Sequence, residues 1–150
     1  MNISKFKIAT EKDLPILNQL YADMNGKDLM SEIEITEVWN QIRQVPNYCI
    51  YLACLSDEVI GTFSLLLMPT MMHSGFHKSA ILDSVTILSA YRGKGYGKQM
   101  IKKALEISAE AECYKVTLST NIIRDRAHNF YRSLGFQQHG WSFSYKLQSA

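Results

Sequence analysis

The stretch from Ser79 to Ala111 constrains this chain more than any other. An apolar run, Ala80 to Leu88, reads as a strand, and it leads into Arg92-Gly93-Lys94-Gly95-Tyr96-Gly97. A helix pattern follows at once from Gly95 to Ala111, with Met100, Ile101, Ala104, Leu105 and Ile107 on its apolar face. Glycines at such a turn let backbone amides approach a ligand closely. A helix N-terminus offers unpaired N–H groups and a partial positive charge, and so favours an anion. Arg92, Lys94, Lys98, Lys102 and Lys103 add five cations, and no acid stands between Ser84 and Leu105. The segment reads as a strand–turn–helix receiver for phosphate. Lys98 is close enough to the turn to take part, whereas Lys102 and Lys103 also read as a solvated face.

Two common phosphate receivers are excluded. A P-loop needs G-x-x-x-x-G-K-[ST], and here Arg92 stands where the first glycine belongs and Gln99 follows Gly97-Lys98. The dinucleotide fingerprint G-x-G-x-x-G fails because Gly97 falls one residue early after Gly93 and Gly95.

The remaining sequence supplies a layered frame. Ile3 to Ala9 reads as a strand, with Phe6 and Ile8 alternating with lysines. Thr10 and Asp13 read as the start of a helix carrying Leu14, Leu17, Leu20, Tyr21 and Met24, closed by Gly26. A second helix spans about Thr36 to Gln44, before Pro46. Tyr48 to Leu55 and Val59 to Met68 read as a hairpin around Ser56-Asp57-Glu58, and residues 69–78 as a loop. Lys115 to Ser119 is a short strand. Ala127, Phe130, Tyr131 and Leu134 mark a helix face, with Gly135 as a left-handed stop. Trp141, Phe143, Tyr145 and Leu147 alternate with polar residues as a closing strand, and 136–139 reads as a further short one. The order βααβββαβαβ predicts an α/β, or α+β, layered domain with a mixed sheet.

At 150 residues this frame fits one domain, residues 1–150. A net charge of +2 is too small for a general nucleic-acid binder. The N-terminal residues show no signal-peptide pattern, and no apolar run approaches the roughly 18 residues that span a membrane. Cys49, Cys54 and Cys113 show no metal-ligand spacing and read as reduced thiols of a cytoplasmic protein.

Arg92, Gly95 and Gly97 occupy the fixed positions of R-x-x-G-x-G, the signature of the GNAT N-acetyltransferases. Ala127, Tyr131, Gly135 and Phe136, in AHNFYRSLGF, resemble the same family's A-x-x-x-Y-x-x-x-G-F segment. The resemblance covers essentially the whole chain, and its C-terminal part is most similar to aminoalkylphosphonate N-acetyltransferases. It implies a mostly antiparallel sheet with about four helices and acetyl-CoA as the acetyl donor, with no metal. The acceptor it implies is a primary amine, here a small molecule of the aminoalkylphosphonate kind. A protein or peptide acceptor and a non-catalytic acyl-CoA sensor are the alternatives. The pantetheine arm is expected on the backbone of Val85 and Ile87, and the pyrophosphate on Arg92, Gly93, Lys94, Gly95, Tyr96, Gly97 and Lys98.

The resemblance also makes Tyr131 the candidate general acid for the departing thiolate; otherwise it reads as a core tyrosine. Asp83 is the candidate base, directly or through water. It also reads as a carboxylate that shapes the strand or attracts a cationic substrate. Strand alternation puts it on the face of Val85 and Ile87 if no bulge intervenes. His73 and His77 lie on a substrate-side loop rather than in a metal pair. His128 reads as a surface or second-layer residue, and Asn121 as a satisfier of loop backbone. Arg124 departs from the family's asparagine, leaving open a pairing with phosphate or with a substrate anion. Residues 25–35 form part of the acceptor wall. A homodimer through the last strand is a further expectation.

Overall fold

A computed structural model of the chain describes residues 1–148. Among them are five strands, β1 (Lys5–Ile8), β2 (Tyr48–Leu55), β3 (Glu58–His73), β4 (Phe76–Ile87) and β5 (Val116–Thr117). Four helices accompany them: α1 (Leu14–Asn25), α2 (Glu32–Ile42), α3 (Tyr96–Glu110) and α4 (Asp125–Ser133). The chain divides into two compact units, Met1–Leu118 and the part from Ser119 onward.

The first unit holds one sheet in the order β1-β2-β3-β4-β5. The first three pairings are antiparallel, and β5 runs parallel to β4. This is the mixed, mostly antiparallel α/β layering that the sequence predicts. Its two faces can be told apart by register, because residues paired across strands share a face. Ile50 pairs with Ser64 and Leu52 with Thr62; Tyr51 pairs with Phe63 and Ala53 with Gly61. The Ile50–Leu52 face is covered by α1 and α2, whose Leu14, Leu17 and Ile35 join Ile50 and Leu52 in one buried cluster. The Tyr51–Phe63 face carries α3. There a Cβ on Gly61 would stand 2.8 Å from Met100 Sδ, and Met100, Ile101 and Ala104 are fully buried.

Local chemistry explains the element ends. The Asp13 carboxylate accepts the Thr10 amide at 2.8 Å and pairs with Lys7 at 3.1 Å, tying β1 to the start of the first helical turn. Gly26 closes α1 with φ +62, a conformation glycine adopts freely. The α2 helix begins at Glu32, a turn earlier than the sequence predicts. Ser31 Oγ accepts the Glu34 amide at 3.1 Å, and Glu32 and Glu34 complement the helix dipole.

The structure corrects three expectations. Residues 69–78 are not a loop: β3 and β4 continue as a long hairpin that turns at Ser74-Gly75, with Gly75 at φ +84. Polar and histidine-bearing residues lower strand propensity, but backbone pairing carries the ladder past Pro69, which lies opposite Lys78. Ile8 is 56% exposed, although its partner in the alternation, Phe6, packs on Phe63 with ring centroids 6.3 Å apart. Neither 136–139 nor 141–147 is a strand. Trp141, Phe143, Tyr145 and Leu147 are each 78–90% exposed. Alternation states which residues a strand would bury; it does not supply the partner edge.

Candidate active site

The candidate site in the first unit begins at a bulge in β4. Ser64 lies opposite Asp83, and Thr62 lies opposite Thr86. Two steps along β3 thus match three along β4, and the extra residue falls at Ser84, whose φ is +51. A serine in the left-handed region is strained, and such strain gathers at functional positions. Asp83 Oδ1 accepts the Ser84 amide at 2.7 Å and so holds the bulge. Asp83 and Thr86 share the face of Ser64 and Thr62, toward α1 and α2, while Val85 faces the other way. The expected common face for Asp83, Val85 and Ile87 is thereby overturned, because the bulge shifts the alternation by one residue.

The same bulge sets an open edge. Leu88 donates its amide to Ile60 at 2.9 Å, so the alternation of an antiparallel ladder turns the main-chain groups of Val85 and Ile87 away from β3. On that outer side β5 pairs only with Ala80 and Ile81. Among the described residues, β4 has no strand partner there from Leu82 to Ile87.

The open edge leads into the turn and the start of α3. Gly93 and Gly95 have φ of +75 and +87, and a Cβ on either would meet no protein atom within 4 Å. Gly95 is the N-cap of α3, with no side-chain cap and no acid in the first turn. The amides of Tyr96, Gly97 and Lys98 therefore have no helical acceptor. The Tyr96 ring is buried against Tyr91, with centroids 6.2 Å apart, so its backbone alone is available at the turn. Lys94 lies over the Tyr91 ring at 5.8 Å, and Lys98 is exposed.

Arg92 is differently engaged from the other cations. Its Nε donates to the Ile87 carbonyl at 2.9 Å, and its Nη2 to Asp23 at 3.0 Å. Asp23 also accepts the amide and hydroxyl of Ser89, at 3.0 and 2.9 Å. Arg92 thus braces the turn against α1 and occupies one acceptor of the open edge. The sequence marked Arg92 but gave no sign of Asp23, an exposed acid on a helix.

The face of Asp83 carries a polar group that the sequence also left unmarked. Thr62, Ser64 and Thr86 are buried there. The Tyr21 hydroxyl lies beside those of Thr62 and Ser64, within the field of Asp83. Burial pushes the Tyr21 phenol up, the neighbouring Thr62 and Ser64 hydroxyls oppose it, and Tyr48 and Asp83 add to the rise. Tyr21 reads as one more apolar-stripe residue in sequence. The available signal was the small polar pair Thr62 and Ser64 alternating within an otherwise apolar strand.

In the second unit, Tyr131 lies on α4 between Phe130 and Phe136, with ring centroids 5.2 and 5.6 Å away. Burial pushes its phenol up and Arg124 opposes the shift, so the group stays protonated at neutral pH. Gly135, at φ +94, lets the chain turn so that the Phe136 amide reaches the Tyr131 carbonyl at 3.1 Å. His128 Nε2 lies 2.8 Å from the Asn121 carbonyl oxygen, and Asn121 Oδ1 accepts the Ile123 amide at 3.1 Å. Asn121 thus satisfies loop backbone, as the sequence suggests.

His73 and His77 stand near the tip of the β3–β4 hairpin, where His73 meets the Tyr114 ring edge-on at 6.4 Å. Among the described residues no group of three or more His, Cys, Asp or Glu is placed to hold a metal ion. No helix among them is long and apolar enough to cross a membrane.

Residues 15–136 match the acetyltransferase (GNAT) family. An aminoalkylphosphonate N-acetyltransferase of Salmonella typhimurium is 31% identical over 68% of this chain and 65% of its own. N-alpha-acetyltransferase 30 of Xenopus laevis is 29% identical over 81% of this chain. The matched region is 43% of that protein, so the chain spans less than two thirds of either relative. A solved putative acetyltransferase from Agrobacterium tumefaciens superposes with a TM-score of 0.87 at 31% identity, covering 95% of this chain and 99% of its own. The open β4 edge, the glycine turn and the uncapped helix are thus found in a chain that belongs to the acetyltransferase (GNAT) family.

Proposed function

We propose that the protein is an acetyl-CoA-dependent N-acetyltransferase that acetylates a primary amine by direct attack on the thioester. The open β4 edge running into the uncapped N-terminus of α3 carries this reading. An edge strand with free N–H and C=O groups suits the amide-bearing pantetheine arm. Unpaired amides at a helix start with no acid in its first turn suit a pyrophosphate. Bound acetyl-CoA would supply the activated acetyl group.

The chain's own residues have these proposed parts. Val85 and Ile87 bind through their backbone, and Gly93 to Lys98 hold the phosphates, with Lys94 and Lys98 adding charge. Arg92 fixes the turn. An outward N–H at the bulge offers a hydrogen bond to the developing oxyanion. Asp83 draws the ammonium and passes its proton on, directly or through water. Tyr131 returns a proton to the thiolate. A buried phenol is a weaker acid than a free one, so this transfer needs close positioning. One domain over residues 1–150 and a cytoplasmic location belong to the same reading. The family match covers parts of both units, and all three cysteines are free thiols.

The test is release of free CoA thiol from acetyl-CoA over a panel of primary amines and short peptides. Turnover with any class supports the reading. Tight acetyl-CoA binding with no turnover across the panel favours the acyl-CoA sensor.

A further inference from the structure

We infer that the acceptor is a primary amine bearing an aliphatic or aromatic group, and that this group enters a cavity beneath the β4 bulge. The inference rests on the acetyltransferase reading for the fate of the amine. The cavity itself lies wholly within the first unit. It measures about 150 Å³ and lies between α1, α2 and the sheet. It is half open to solvent, so a ligand group can enter it from the surface.

The lining fixes the chemistry. Leu17, Ile35, Val38 and Ile50 form apolar walls, and Trp39 and Tyr48 add aromatic ones. None of the lining side chains is charged, so a phosphonate, sugar phosphate or polyamine would lose its hydration there without a counter-charge. The aminoalkylphosphonate expectation is therefore not what this wall favours. Ser64 and Ser84 close the cavity at the bulge, beside Asp83. An amine whose apolar group fills the cavity thus has its nitrogen directed toward Asp83 and the open edge.

One further observation argues for a built site. The wall is pre-ordered: Asn18 exchanges two hydrogen bonds of 2.9 Å with the backbone of Met30, pinning the segment between α1 and α2. The shared chemistry is an amine next to an apolar group, found in an alkylamine, in an amino-acid amide or at a peptide N-terminus.

The test compares leucinamide, phenylalaninamide and isoamylamine with glycinamide and aminoethylphosphonate, and adds tetrapeptides that start with Leu or Gly. Binding is read with CoA present from the fluorescence of Trp39 in a Trp141→Phe variant, and turnover from thiol release. We expect leucinamide to bind roughly tenfold or more tightly than glycinamide. Val38→Trp, on a wall residue already 43% exposed, should erase that ratio while acetyl-CoA affinity and thermal midpoint hold. The peptide arm tells a free small amine from a chain terminus. Selective binding of apolar amines without turnover would support the cavity and sink the acetyltransferase reading. Equal binding of leucinamide, glycinamide and aminoethylphosphonate would overturn the inference, whatever the turnover.

Discussion

Gly61 is where the α3 layer comes closest to the sheet, and replacing it with alanine tests that packing. The new Cβ would stand 2.8 Å from Met100 Sδ, 2.9 Å from the Thr86 carbonyl oxygen and 3.4 Å from Ile87 Cγ1. The thioether end can swing aside. The carbonyl cannot, because Thr86 is laddered to Thr62 across the β3–β4 pair. Overpacking of this kind costs about 1–3 kcal/mol. Alanine also narrows the unfolded ensemble, which returns about 0.4–1 kcal/mol. The net expectation is a loss of about 1–2 kcal/mol, or a fall in Tm of about 2–8 °C for a chain this long. Circular dichroism on heating and urea unfolding measure it. A cycle with Met100→Ala sharpens the test. The Gly61→Ala change should cost at least about 0.5 kcal/mol less in that background, where the methyl enters vacated space. The disturbed segment, Thr86 and Ile87, borders the open edge, so the KM for acetyl-CoA should rise as well. A Gly61→Ala protein as stable as the parent, or a strictly additive cycle, would refute the close approach of α3.

Three further predictions follow from the geometry. Asp23→Ala removes the acceptor that holds Ser89 and Arg92; we expect about 1–2 kcal/mol of lost stability, the groups being part-exposed, and a several-fold higher KM for acetyl-CoA. An unchanged KM would show that the brace does not position the turn. Tyr131→Phe should lower kcat by roughly a hundredfold with little change in CoA affinity, and an unaltered kcat would remove it as the acid. The phenols of Tyr21, Tyr51 and Tyr131 and the thiols of Cys54 and Cys113 are all pushed up by burial. Raised values mean that the folded state holds its protons longer than the unfolded one. Their stabilisation is thus complete below the unfolded values of 9.0 and 10.0, and it is lost as pH rises through the folded ones. The urea midpoint should begin to fall near pH 9, and a level profile to pH 11 would contradict this.

Much of the frame could be read from the sequence because each element carries its own period and stop. The α1 stripe ending at Gly26, the β2–β3 hairpin and the α3 face are local patterns that tertiary packing only confirms. The anion receiver was legible for the same reason, since glycines, lysines and the absence of acids are contiguous from Arg92 to Lys98. What escaped is non-local. The bulge at Ser84 depends on how β3 and β4 pair, and one added residue moves Asp83 to the other face from Val85. The Asp23–Arg92 brace joins residues 69 positions apart. The acceptor cavity draws α1, α2 and three strands together, and no lining residue stands out within its own segment. The alternation at 141–147 is legible as a pattern, yet the chain makes no ladder there.

The central claim is that the free β4 edge and the start of α3 receive acetyl-CoA. Residue-resolved amide exchange, with and without saturating acetyl-CoA, tests it most directly. The account predicts added protection at the outward amides of Val85 and Ile87 and at Tyr96, Gly97 and Lys98, with β1 and β2 unchanged. Tight acetyl-CoA binding that leaves those five amides exchanging as before would contradict it.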